Sequence, residues 1–170
     1  MPPTLKTQHF DAAVLTVSDR SARGERPDSG GPRVARALTR AGFRVVDRRL
    51  SPDERPRIAQ AIRSMARRAA LVVTTGGTGL TPRDVTPEAT RQVIDREVPG
   101  LAEAMRAASF RRFPHAALSR AVTGTLGRSL VINLPGNPRG AVDCLAVVLP
   151  ALPHALTLLR SPACDTHAAP

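Results

Sequence analysis

Two aspartates and a glycine loop carry the chemistry that can be read from this chain. The stretch Thr74-Thr75-Gly76-Gly77-Thr78-Gly79-Leu80-Thr81-Pro82-Arg83-Asp84-Val85-Thr86-Pro87 follows an apolar run at 69–73. Glycines at the end of a strand let backbone N–H groups come close to an anion, because no Cβ intervenes. The loop then delivers one carboxylate, Asp84, just ahead of Thr86-Pro87, which reads as a capped helix start. Backbone donors beside a lone acid suit a nucleotide phosphate with its magnesium ion. The loop is neither a P-loop, since it lacks Gly-Lys-Ser/Thr, nor a Gly-x-Gly-x-x-Gly fingerprint. Alone, Gly76-Gly77-Thr78-Gly79 also fits a tight strand-to-helix turn.

The second acid, Asp53, lies in Ser51-Pro52-Asp53-Glu54. Ser51 is placed as an N-cap there, Pro52 as the first helical residue and Glu54 as the capping-box partner. A carboxylate in a first helical turn also suits the helix dipole without any metal. Ser18-Asp19 reads equally as an Asx- or Ser-turn, and Asn137 of Pro135-Gly136-Asn137-Pro138 as an N-cap. Glu103 and Arg106 have the spacing of a helix-surface ion pair. His115 and His154 have no partner pattern.

These residues need a frame. Ala12-Ala13-Val14-Leu15-Thr16-Val17 is an apolar run suited to a parallel strand buried on both faces. A helix follows from Asp28-Ser29-Gly30-Gly31-Pro32 to Arg40, with Val34, Ala37 and Leu38 on one face. Strand 43–50, a helix to Arg68 and strand 69–73 come next. A helix from Pro87 to Arg96, another over 101–110, strands 119–124 and 128–133, and a C-terminal helix to Leu159 complete the reading. Strand–helix alternation without repeat or linker gives one three-layer α/β/α domain with a mostly parallel central sheet. Its extent is 10–160, with a disordered leader 1–9 and a flexible tail 161–170. In such a sheet ligands sit beyond the carboxyl ends of the strands, where the turns at Ser18, Asp53, Gly76 and Gly136 gather.

Composition narrows the partners. The 170 residues carry a net charge of +11. The basic residues are almost all arginine, Lys6 being the sole lysine, and they are scattered rather than clustered. With four Phe and no Trp or Tyr, base-stacking side chains are scarce, and no nucleic-acid motif stands out. A basic surface with an anion-attracting cleft is the reading that remains. The first ten residues lack a signal-peptide core. The apolar tract 141–159 is broken by Asp143, Pro150, Pro153 and His154, and reads as a core-facing helix rather than a membrane span. Cys144 and Cys164 are too few for a disulfide scaffold, and Cys144 fits a core thiol. A cytoplasmic protein that binds neither nucleic acid nor membrane is expected.

Taken together the turns resemble the molybdopterin-binding MoaB/Mog family. The matching segments are Val17-Ser18-Asp19-Arg20, Asp28-Ser29-Gly30, Leu50-Ser51-Pro52-Asp53 and Thr74 through Pro87. Further along come Pro99-Gly100 with Glu103 and Arg106, Leu118-Ser119-Arg120, and Asn133-Leu134-Pro135-Gly136-Asn137-Pro138. The resemblance covers about residues 10 to 160. It implies molybdenum cofactor biosynthesis, with Mg-ATP-dependent adenylylation of molybdopterin and release of pyrophosphate. It implies Asp53 and Asp84 as the catalytic, Mg²⁺-binding acids, and Gly76, Gly77, Thr78 and Gly79 as the phosphate loop. Ser18, Asp19, Pro135, Gly136 and Asn137 match segments lining the pterin and nucleotide pockets. A homotrimer and hand-over to a molybdate-inserting protein are implied as well. The alternative is a non-catalytic molybdopterin-binding or carrier protein of the same fold; the presence of both aspartates favours the enzyme.

Overall fold

The computed structural model describes residues 9–161. The expected leader and tail therefore lie outside the described residues except for His9 and Ser161, as does Cys164. Six strands form one sheet in the order β2-β1-β3-β6-β5-β4. They are β1 (Asp11–Val17), β2 (Arg44–Ser51), β3 (Leu71–Thr75), β4 (Arg96–Glu97), β5 (Thr123–Leu126) and β6 (Ser129–Leu134). β2, β1, β3 and β6 run parallel, while β5 is antiparallel to β6 and to β4. The sheet is thus mixed, with a parallel body and an antiparallel edge.

The strands' two-residue period sends alternate side chains to opposite faces. Ala12 and Val14 of β1, Leu71 and Val73 of β3, and Leu130, Ile132 and Leu134 of β6 enter one core cluster. Ala13, Leu15, Val17, Val72 and Val131 enter the other. The first face is covered by α2 (Gly30–Arg40), α5 (Pro99–Phe110), α6 (Pro138–Val148) and α7 (Leu152–Arg160). The second is covered by α3 (Arg55–Ala66) and α4 (Thr86–Arg91). A four-residue helix, α1 (Asp19–Ala22), sits directly after β1. The expected three-layer architecture is present.

Several boundaries differ from the sequence reading, each for a tertiary reason. Ser51 is the last residue of β2, paired with Val17, and its hydroxyl donates to Pro52 O at 2.9 Å. The parallel ladder has claimed it; Glu54 is the N-cap, and Asp53 precedes the helix. α4 ends at Arg91 rather than Arg96, because the chain turns to place Arg96 and Glu97 against β5. β5 starts at Thr123, since Ser119 and Arg120 form hydrogen bonds to other segments. The Glu103–Arg106 pair does not form; the Arg106 guanidinium donates to Ser119 O and Ala121 O. Asn137 is the N-cap expected, its Oδ1 accepting from Arg139 N and Gly140 N at 3.0 Å.

The run Pro138–Arg160, 23 residues with an 18-residue stretch of mean hydropathy 1.8, is long and apolar enough to cross a membrane by length and composition. Here it is α6, a short 3-10 turn at Leu149–Ala151, and α7. Ala141, Cys144, Leu145, Val148, Leu152 and Leu156 on this run are buried in the core. Cys144 is a core thiol, its pKa raised by burial.

Candidate active site

The carboxyl ends of β1, β2, β3 and β6 open onto one cleft of about 540 Å³. Its walls include Ser18, Asp19, Asp28, Asp53, Gly76, Gly77, Asp84, Gly136 and Asn137. Gly30 and Pro138, the first residues of α2 and α6, line it too. Two helix N-termini thus face the cleft, and their dipoles favour an anion there, although Asn137 already caps the first N–H groups of α6 and Asp28 that of Gly31 in α2.

Glycine is required where the loop leaves β3. Gly76 has φ +106°, and a Cβ on it would stand 2.2 Å from Val17 O. Gly77 has φ +65°, and a Cβ there would meet Thr86 Oγ1 at 2.4 Å and Asp53 Oδ1 at 3.0 Å. The loop backbone therefore runs hard against the β1 terminus and the Asp53 carboxylate.

Asp19 and Asp53 cap each other across the sheet edge. Asp19 N donates to Asp53 Oδ2 at 2.8 Å, and Asp53 N donates to Asp19 Oδ1 at 2.9 Å. Arg83, from the glycine loop, forks onto Asp19 with two bonds of 2.9 Å. That guanidinium holds the Asp19 carboxyl below the ordinary carboxylate range. Asp53 goes the other way: burial raises its pKa, and the charges of Asp19 and Asp84 add to the rise against the Asp19 N–H and Arg83. Asp84 Oδ2 accepts from Thr81 N at 2.8 Å and Thr81 Oγ1 at 2.6 Å.

Among the described residues no three or more His, Cys, Asp or Glu side chains group as a metal cage. The donor set nonetheless fits a hard divalent cation. Asp53 and Asp84 each have Oδ2 engaged, and no protein donor among the described residues reaches Oδ1. A carboxylate pressed toward its neutral form by burial and like charges is relieved by a cation. Mg²⁺ commonly takes one or two carboxylates and fills its shell with phosphate oxygens and water.

The expected residues divide. Ser18, Asp19, Asp53, Asp84, Gly76, Gly77, Gly136 and Asn137 meet in the cleft, whereas Thr78 and Gly79 lie outside its lining. Ser18 caps α1, its Oγ accepting from Ser21 N at 3.3 Å. Pro135 lines a second, larger and mostly apolar groove of about 710 Å³ between α5 and α6, which shares Asn137 with the cleft. Sequence reasoning gave no role to Arg83, although its place beside Asp84 was a signal. Nor did it give one to Asn133, whose buried amide donates to Thr74 Oγ1 and Thr90 Oγ1 and accepts from Val122 N.

The chain as a whole is similar to known proteins. The family described as a probable molybdopterin binding domain matches residues 13–154. The chain belongs to that family. MoaB of Thermus thermophilus, a molybdopterin biosynthesis enzyme, superposes with TM-score 0.83 at 52% identity, covering 88% of this chain and 96% of that one. The molybdopterin adenylyltransferase of Helicobacter pylori J99 is 38% identical over 156 residues, 89% of each chain. Gephyrin of Dictyostelium discoideum is 37% identical over 167 residues, but the match spans 92% of this chain and only 23% of gephyrin. This molybdopterin-binding domain is thus a quarter or less of the longest of these relatives and nearly all of the short ones.

Proposed function

We propose that the protein is a molybdopterin adenylyltransferase, which transfers AMP from Mg-ATP to the terminal phosphate of molybdopterin and releases pyrophosphate. The observation that carries this reading is the convergence of Asp53 and Asp84 with the glycine loop and two helix N-termini in one cleft. The short relative named for that activity adds its weight.

Nucleotidyl transfer is largely positioning and neutralisation of charge. The pterin phosphate is already ionised near neutral pH, so its oxygen attacks the α-phosphorus without a general base. The bond to the β-phosphate oxygen breaks and pyrophosphate departs. Asp53 and Asp84 would hold Mg²⁺, which would supply neutralisation of phosphate charge. The N–H group of Gly77 and the positive dipole ends of α2 and α6 would hold the polyphosphate, the Gly76 N–H being spent on Leu134 O. Asp19, occupied by Arg83 and by Asp53 N, orders the Asp53 side rather than serving as a ligand. The polar cleft suits ATP, and the Pro135–Asn137 corner shared with the apolar groove suits the pterin.

The protein works in the cytoplasm, where ATP is available, and passes its product to a molybdate-inserting protein. It assembles as a homotrimer; Phe110, Phe113 and Leu118 leave exposed apolar surface on α5 and the following turn that a second copy would cover. Light scattering on the purified protein checks the assembly, with a monomeric mass as the contrary result. The function is tested by pyrophosphate release, which must require molybdopterin and Mg-ATP together. Tight pterin binding without release would make the protein a carrier.

A further inference from the structure

We propose that Arg120 is a positioning residue for the glycine loop, acting on the reaction through Asp84. This rests on the adenylyltransferase reading for its kinetic part. Arg120 stands in the segment before β5, yet it holds both ends of the loop. Its backbone N donates to Thr78 O at 2.9 Å, its Nε to Gly79 O at 2.7 Å and its Nη2 to Asp84 O at 2.5 Å. Its Nη1 pairs with Glu88 Oε1 in the first turn of α4.

One residue therefore fixes three carbonyls and the helix that follows. In a trans peptide the N–H points opposite to the preceding carbonyl. Turning the carbonyls of Thr78, Gly79 and Asp84 toward Arg120 sends the N–H groups of Gly79, Leu80 and Val85 to the other side of the loop. None of those three N–H groups has a protein acceptor among the described residues. The Asp84 carboxylate is locked against the same loop: its Oδ2 bonds Thr81 and lies 3.0 Å from where a Cβ on Gly79 would stand. Arg120 itself does not line the cleft. It sets the loop that presents Asp84.

Lysine keeps the charge but cannot reproduce a planar fork reaching several acceptors. Arg120→Lys should raise the Mg²⁺ concentration for half-maximal turnover about 10- to 100-fold, as loss of outer support for a metal ligand does, while the KM for molybdopterin holds. In an Asp84→Asn background the same change should cost no more than about twofold. Hydrogen exchange of free enzyme should show protection lost at Thr81 and Asp84, whose N–H groups bond within the loop, and retained in β1 and β3. Should Arg120→Lys fail to fold, Glu88→Gln, which frees one arm of the guanidinium, should show the same shifts in smaller degree. An equal loss in both backgrounds, or unchanged exchange at Thr81 and Asp84, would overturn the proposal. If wild-type protein gives no turnover, the functional reading falls, and the exchange measurement alone decides the role of Arg120.

Discussion

Asp53 and Asp84 differ in how they are held, and that difference sets what each substitution should do. Asp84 is exposed enough to meet a cation and is fixed by Thr81. Asp84→Asn keeps the Thr81 bonds in part and loses the charge, so kcat should fall about 10²- to 10³-fold with molybdopterin affinity nearly intact. Steady-state kinetics beside pterin titration checks this; equal losses would mark Asp84 as a pterin contact. Gly76 was legible as a residue needed at a strand end, and the reason is now concrete. Gly76→Ala should cost about 1–3 kcal/mol in urea denaturation, because its Cβ has nowhere to go beside Val17 O and its φ is left-handed. An unchanged midpoint would contradict the geometry. Arg83 and Arg120 were not legible in this way. Their partners, Asp19 and the carbonyls of Gly79 and Asp84, lie 36 to 64 residues away in sequence and are chosen only by the fold.

At the scale of elements, periodicity served where a strand or helix is decided by its own burial. The apolar runs within β1 and β3 and the core stripe of α2 were readable for that reason. It failed where pairing decides. Ser51 has every local feature of an N-cap, but its backbone continues the ladder with β1. β4 is two exposed residues that exist only because β5 is beside them. Asp11 at the start of β1 holds Arg44 at the start of β2 through two bonds of 2.6 and 2.8 Å. The Arg44 hydrogen bond lowers the Asp11 pKa, so this contribution is present above the ordinary carboxylate range and disappears as pH falls through the lowered value. Asp11→Asn should therefore lower Tm slightly near neutral pH, with the two melting curves converging once acid has protonated Asp11; a constant gap would contradict the pairing. Leu145, fully buried on α6, supplies a plainer check. Leu145→Ala should cost about 2–5 kcal/mol in denaturant unfolding.

For the whole molecule, the architecture explains why so weak a motif carries function. A parallel sheet brings four strand ends to one edge, so residues from Ser18 to Asn137 share a cleft that no single segment could build. The chain as a whole carries a net charge of +11, which favours the approach of anions, while the cleft itself is lined by four aspartates that call for a cation. The proposed work of this cleft is to move AMP between two phosphates. Wild-type protein incubated with molybdopterin, Mg²⁺ and ATP radiolabelled at the α-phosphorus reads that transfer out. Label should appear on the pterin, in step with unlabelled pyrophosphate, and should be absent when Mg²⁺ is chelated. Pterin bound tightly but unlabelled after prolonged incubation would contradict adenylyl transfer.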